Sequence, residues 1–205
     1  MAKLGNSKLD SYQKFALSLI GLSSVGLIAA FILMLEKIEL LKTPAAQLSC
    51  NLNPVVSCGS VILSKQAEAF GFANPIIGLI SFAVIITIGM GMLAGAKYKR
   101  WFWLGLQSGT IFGALFITWL FYEAVYQIKA LCPYCIVVWA MVIPLFVYVT
   151  RYNVMQGNIK VAKPFQGVSK WLCENAWFIV AIWYLAIFTA ILVQFWYYWK
   201  TLIKL

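Results

Sequence analysis

Four of the chain's five cysteines fall into two close pairs. Cys50 and Cys58 lie in LSCNLNPVVSCGSVILSKQAEAF, and Cys132 and Cys135 open ALCPYCIVVWAMVIPLFVYV. A thiolate attacks a disulfide sulfur, so two pairs that can reach one another could pass electrons by disulfide exchange. The chain has no histidine to act as base, so activation must come from elsewhere. Pro133 favours the first helical position and pushes the residue before it out of helical geometry. Cys132 is therefore expected at the N-cap and Cys135 at the third helical residue. Both sulfurs would lie near unpaired N–H groups at the positive end of a helix dipole, which favours thiolate. Three residues along the axis place Cys135 about 4.5 Å deeper than Cys132. One sulfur then looks toward water, the other toward the greasy interior. A pair set across that boundary could link a water-side thiol to a lipid-soluble molecule.

The elements that must position these pairs are membrane helices. The 205 residues are 63% hydrophobic and only 11% charged, against about a quarter charged in ordinary soluble domains. Five apolar runs, about 15–35, 75–96, 101–125, 131–150 and 177–199, approach or exceed the roughly 20 residues that cross a bilayer, and in lipid each must be helical. The first is too long for a signal-peptide core, so Pro44-Ala45-Ala46 is read as uncleaved chain. The expectation is an all-α integral membrane protein with five transmembrane helices.

The +10 net charge is spread in a way that argues against nucleic acid, since basic and aromatic residues are not interleaved. Ten basic residues precede the first span or join the second to the third and the fourth to the fifth, including Lys14, Arg100 and Arg151. The opposite segments hold six, including Lys37, Lys65 and Lys129. Positive residues stay cytoplasmic, which puts the N-terminus inside and both cysteine pairs outside, where disulfides persist if the compartment is oxidising. Cys173 falls on the inner side as a bystander. Trp101, Trp103, Trp177, Trp196 and Trp199 sit near span ends as an aromatic belt would. Gly105, Gly109 and Gly113 share one helix face, where a neighbouring helix is expected to pack closely.

Two other readings of the cysteines stay open. Four thiolates could hold zinc, although Ile136-Val137-Val138 plunges into the apolar run where a knuckle would need glycine. Alternatively, both pairs could be inert structural disulfides.

The pattern resembles the vitamin K epoxide reductase family, prokaryotic-type homologues included. Cys50-x7-Cys58 followed by Ser64 is similar to the family's loop pair. Asn74-Pro75-Ile76-Ile77-Gly78 is similar to its quinone-side asparagine motif, and Cys132-Pro133-Tyr134-Cys135 to its active-site pair. The likeness covers roughly residues 10–150, within a single membrane domain expected over 1–205 with no thioredoxin-like domain. It implies a four-helix transmembrane bundle around a quinone pocket, with a fifth transmembrane helix added to it. In it Cys135 reacts with the quinone, Cys132 exchanges with Cys58, and Cys50 meets a thioredoxin-fold partner on the outer side. It implies a quinone carbonyl contact for Asn74, whose alternative role is to cap the helix opening at Pro75. Ser64 would cap a short helix, SKQAEAF, over the pocket or serve structure alone. Trp139 stands where vertebrate members have a quinone-contacting tyrosine. Its indole donates one hydrogen bond and accepts none, so it is expected to stack on the ring or pack between helices.

The resulting expectation is a membrane enzyme coupling disulfide formation in its partner to reduction of ubiquinone, menaquinone or phylloquinone. Quinone or epoxide reduction by the same relay is the alternative. The expected setting is a prokaryotic plasma membrane with the active site on the periplasmic or extracellular side, or the ER membrane of a eukaryote. No metal is expected.

Overall fold

In the computed structural model of the protein, residues 2–43, 48, 50, 51, 53 and 55–203 are described. Pro44-Ala45-Ala46 and Lys204 lie outside them. Among the described residues, five helices are long and apolar enough to cross a membrane: the Ser11–Lys42 part of α1 (Ala2–Lys42), α3 (Pro75–Leu93), α4 (Arg100–Tyr122) with its continuation to Ile128, α5 (Pro133–Met155) and α7 (Ala176–Gln194). Shorter helices are α2 (Cys58–Ile62), α6 (Gln166–Glu174) and α8 (Trp196–Ile203). Large apolar side chains such as Ile80, Leu115, Leu185 and Val193 are exposed along the long helices, which suits lipid rather than water. The chain is a multi-pass helical membrane protein.

Helix α1 packs against α3 and α5, α4 against α5, and α5 against α7. The α1–α3 seam closes tightly because a methyl group at Gly26 would run into the Phe82 ring. Leu19, Phe82, Ile85, Met92, Leu145 and Val149 fill the space beside it. At the end of the bundle remote from the cysteine pairs, Asn153 is fully buried yet satisfied. Its amide donates to the Trp103 carbonyl at 3.2 Å and to Gln107 Oε1 at 3.0 Å, and its oxygen accepts from Asn158 at 3.0 Å. An unpaired amide there would carry a desolvation penalty of about 1–3 kcal/mol, so this network ties α4 to α5 in one register.

Two expectations are corrected. Trp103 is not an interfacial anchor: it is buried against Phe15 and Tyr152, and Trp199 packs around Phe195. Trp101, Trp177 and Trp196 are exposed, as a belt requires. The glycine face of α4 does not receive a helix. Among the described residues, apart from chain neighbours and the helix's own backbone, no atom lies within 4 Å of a methyl placed at Gly105 or Gly109, and at Gly113 Val142 alone approaches, at 3.6 Å. These glycines line a cavity instead, because α3 and α4 scarcely meet.

Candidate active site

Cysteine placement starts with the backbone. After Tyr122 the α4 helix widens into a π-helical stretch, Glu123–Ile128, a local irregularity frequent at functional sites. Lys129, at φ 57°, ends it in left-handed geometry and turns the chain back. The next residues run beside the first cysteine loop. Leu131 N–H donates to the Val55 carbonyl at 2.7 Å, and Ser57 N–H donates to the Leu131 carbonyl at 3.0 Å. Val56 and Leu131 form an isolated parallel bridge. One residue beyond this ladder, each strand starts a helix: Cys58 begins α2, and Cys132 is the N-cap of α5.

The sulfurs follow. Cys50 and Cys58 are joined in a disulfide, while Cys132 and Cys135 are free thiols. The Cys132 thiol points at Cys58 Sγ from 3.2 Å. Cys132 has the extended backbone of an N-cap (φ −102°, ψ 121°), with Pro133 first in the helix and Cys135 third. A hydrogen bond with the Cys135 side chain holds the Cys132 thiol below its ordinary pKa. The backbone N–H groups of Cys135 and Tyr134 help, against burial and the charge of Glu36. Cys50 is only 4% exposed, packed with Leu48, Cys58 and Ile62. A partner thiol can reach it only if the loop shifts.

The loop is braced by side chains that motif reading passed over. Asn51 Oδ1 accepts from Gly59 N–H at 3.0 Å and from the Ser57 hydroxyl at 3.1 Å. Asn53 Oδ1 accepts from the N–H groups of Val55 and Val56 at 3.0 and 2.7 Å. These bonds fix Cys58 relative to Cys50, and the Asn-x-Asn spacing inside a cysteine loop was the available signal.

Cys135 lies in the wall of a cavity of about 540 Å³ between α1, α3, α4 and α5. Its length is apolar, with the α4 glycines on one side. Lys37, Ser64, Gln66, Asn74 and Glu123 lie in the same wall. Asn74 does not cap α3. Its amide donates to the Gln66 carbonyl at 2.7 Å and its oxygen accepts from Ala69 N–H at 3.1 Å, because the 3₁₀ turn Lys65–Glu68 folds back over it. Ser64 likewise makes no cap for that turn. Its hydroxyl donates backward to the Val61 carbonyl at 2.7 Å, closing the end of α2. Only Lys65–Glu68 of the expected helix is helical, and it is 3₁₀.

Two further contacts fasten this turn. The Lys37 ammonium lies 2.8 Å from Glu68 Oε1 and donates to the Ile62 carbonyl at 3.0 Å, and Gln66 donates to Glu123 at 3.0 Å. Lys37 sits among Glu36, Glu39 and Lys42 just past the first apolar run, so neither it nor Gln66 or Glu123 was marked out by the sequence. Trp139 is buried edge-on against Phe121, with ring centroids 5.5 Å apart, while also lining the cavity. It packs between helices with part of its surface left to the cavity. Cys173, on α6, takes no part.

The family model for vitamin K epoxide reductases matches residues 17–150, which include both cysteine pairs and the cavity-lining helices α1, α3, α4 and α5. The chain belongs to the vitamin K epoxide reductase family. No individual curated protein matches it. Family membership makes the chain a membrane oxidoreductase and points to disulfide and quinone redox chemistry. The matched region stops before α6, α7 and α8.

Proposed function

We propose that the protein is a quinone-dependent thiol–disulfide oxidoreductase that forms disulfides in a thioredoxin-fold partner on the outer face of the membrane. The single observation that carries this reading is the Cys132 thiol 3.2 Å from Cys58 Sγ. That sulfur is already in reach of one half of a disulfide, while its neighbour Cys135 faces the cavity.

The exchange balances in two steps. A partner dithiol attacks Cys50, displaces Cys58, and leaves as a disulfide with Cys50 and Cys58 both reduced. Cys58 then attacks Cys132 of an oxidised Cys132–Cys135 pair, and Cys50 closes on Cys58 to release the second pair as thiols. Each step moves two electrons and leaves one disulfide for one broken. The low pKa of Cys132 suits it as leaving group in this direction and as attacking thiolate in reverse.

A quinone fits the cavity by chemistry and size: about 540 Å³ lies in the usual range for small-molecule sites, and apolar walls with few polar groups are typical of them. When bound, a quinone supplies the two-electron oxidant that returns Cys132 and Cys135 to a disulfide. Asn74 would donate to a carbonyl through the amide N–H that its bond to Gln66 leaves over, and the surface Trp139 leaves to the cavity would lie against a ring. The glycine face of α4 leaves room for an apolar tail. Cys135 is half-buried, and the apolar groups around it in this wall would keep water from the sulfur that meets the quinone. The positive-inside asymmetry supports an outward-facing sulfur end. The same groups would also serve quinone or epoxide reduction if the partner supplied electrons strongly enough.

The test counts free thiols by maleimide gel shift after anaerobic reduction and addition of a soluble quinone. The proposal expects thiol loss in the wild type and none with Cys132→Ser/Cys135→Ser. Thiols indifferent to quinone would defeat it.

A further inference from the structure

Helix α7 is an odd member of the bundle. Along its length it is largely bare, with Ile182, Leu185, Phe188 and Val193 all exposed, and only Ala176 and Val180 buried. Yet the residue that ends it, Phe195, is completely buried. Its ring sits in a cluster with Val55, Val125 and Leu131, ringed by Phe121, Ile191, Tyr198 and Trp199. Two of those core partners are the ladder residues themselves. Val55 accepts the hydrogen bond from Leu131, and Leu131 immediately precedes Cys132. Val125 belongs to the π-helical stretch that delivers the chain to Leu131.

The backbone around Phe195 is built to present it. Its N–H closes α7 on the Ile191 carbonyl at 3.0 Å, and its own carbonyl accepts from Tyr198 and Trp199 at 3.0 and 3.1 Å to start α8. The chain therefore breaks between two helices at this one residue, with φ −99° and ψ 20°. The break turns the ring inward where an uninterrupted lipid-facing helix would continue.

We infer that Phe195 is a positioning residue for the sulfur relay: lodged between Val55, Leu131 and Val125, it holds the two-bond ladder that keeps Cys58 and Cys132 in register. This rests on the exchange reading given above. It assigns a role to a helix outside the family-matched region, whose ring never touches a reacting atom. The physical reason is that an isolated pair of ladder bonds is weak alone, each bond contributing about 0.5–1.5 kcal/mol net. A filled apolar core behind it removes the alternatives. Exchange is steep in sulfur position, since a misplacement of about 1 Å can cost a hundredfold.

The experiment needs no quinone. In a Cys50→Ser/Cys135→Ser background, the Cys58–Cys132 disulfide is equilibrated against a glutathione redox buffer, and its fraction gives the effective concentration of one thiol for the other. Phe195→Ala is expected to lower that concentration about ten- to a hundredfold. Phe195→Leu, which refills most of the space, restores it. Val180→Ala, a buried change on the same helix within the Trp139 cluster, leaves it unchanged. If Phe195→Ala does not accumulate, Phe195→Val, which also leaves space behind the ladder, takes its place in the same comparison. The inference is overturned if Phe195→Ala, or Phe195→Val in its place, matches the parent, or if Val180→Ala loses as much. A parent that forms no Cys58–Cys132 bond at all would instead defeat the exchange reading itself.

Discussion

Lys37 is buried, with its side chain 10% exposed, while its partner Glu68, 2.8 Å away, is 47% exposed. The two ends of this ion pair are therefore not equivalent. Lys37 comes from α1 and Glu68 from the turn over the cavity, so the bond fastens the turn to the bundle. Glu68→Ala leaves a desolvated ammonium whose remaining acceptor among the described residues is the Ile62 carbonyl. Lys37→Met leaves a carboxylate that water can solvate. The expected order in thermal unfolding in detergent is Glu68→Ala less stable than Lys37→Met, because breaking a buried pair is costly mainly through the charge left behind. The reverse order would mean that the pair is solvated.

Cys132 should titrate early. Its thiol lies below the ordinary value chiefly through the Cys135 side chain, and exchange by Cys132 rises with pH only until its thiolate is fully formed. Attack on the Cys50–Cys58 disulfide, read as the appearance of a maleimide-reactive Cys50, should level off at lower pH in Cys135→Ser than in Cys135→Ala. Serine keeps a hydrogen-bond donor and alanine does not. Equal inflection points in the two variants would refute the Cys135 hydrogen bond as the cause.

Two glycines should respond in opposite directions. Gly109 has open space around it, whereas a methyl at Gly26 meets the Phe82 ring. Gly109→Ala is expected to keep or raise the melting temperature, since glycine within a helix costs about 0.5–1 kcal/mol relative to alanine. Gly26→Ala should lower it. Gly109→Leu should slow quinone-dependent thiol loss by occupying part of the cavity while leaving the Cys58–Cys132 equilibrium intact. If Gly109→Ala were as damaging as Gly26→Ala, the α4 glycines would be helix-packing positions after all.

Asn74 joins the turn to α3 through both ends of its amide. Asn74→Asp keeps the acceptor for Ala69 but loses the donor to Gln66, and Asn74→Ala loses both. Leaving such partners unpaired costs about 1–3 kcal/mol when buried. Protection of the Ala69 amide from hydrogen exchange should therefore fall in Asn74→Ala and be largely kept in Asn74→Asp. In a quinone assay both should raise KM. An Asn74→Ala variant with unchanged exchange and unchanged KM would remove Asn74 from both roles.

Much of this protein was legible in its sequence because membrane helices declare themselves by length and composition. The cysteine pairs, Pro133 and the N-cap position of Cys132 were equally local, since proline fixes the geometry on either side of itself. What the sequence left open was decided by which surfaces meet. Gly105, Gly109 and Gly113 read as a packing face, but a stripe of small residues is the same whether a helix or a void lies opposite. Only the separation of α3 from α4 made it a cavity wall. Ser64 and Asn74 were recognisable as polar groups near a helix start, yet their partners, Val61, Gln66 and Ala69, depended on how the turn folds back.

The 3.2 Å between Cys58 and Cys132 spans 74 residues of chain. The sequence determined that two thiol pairs lie at one end of a membrane bundle. The resemblance implied that Cys132 exchanges with Cys58, and only the tertiary structure, through the Val55–Leu131–Ser57 ladder and the ring of Phe195 behind it, supplied the contact that brings the two within reach. Such contacts between distant segments depend on packing, and no local spacing encodes them.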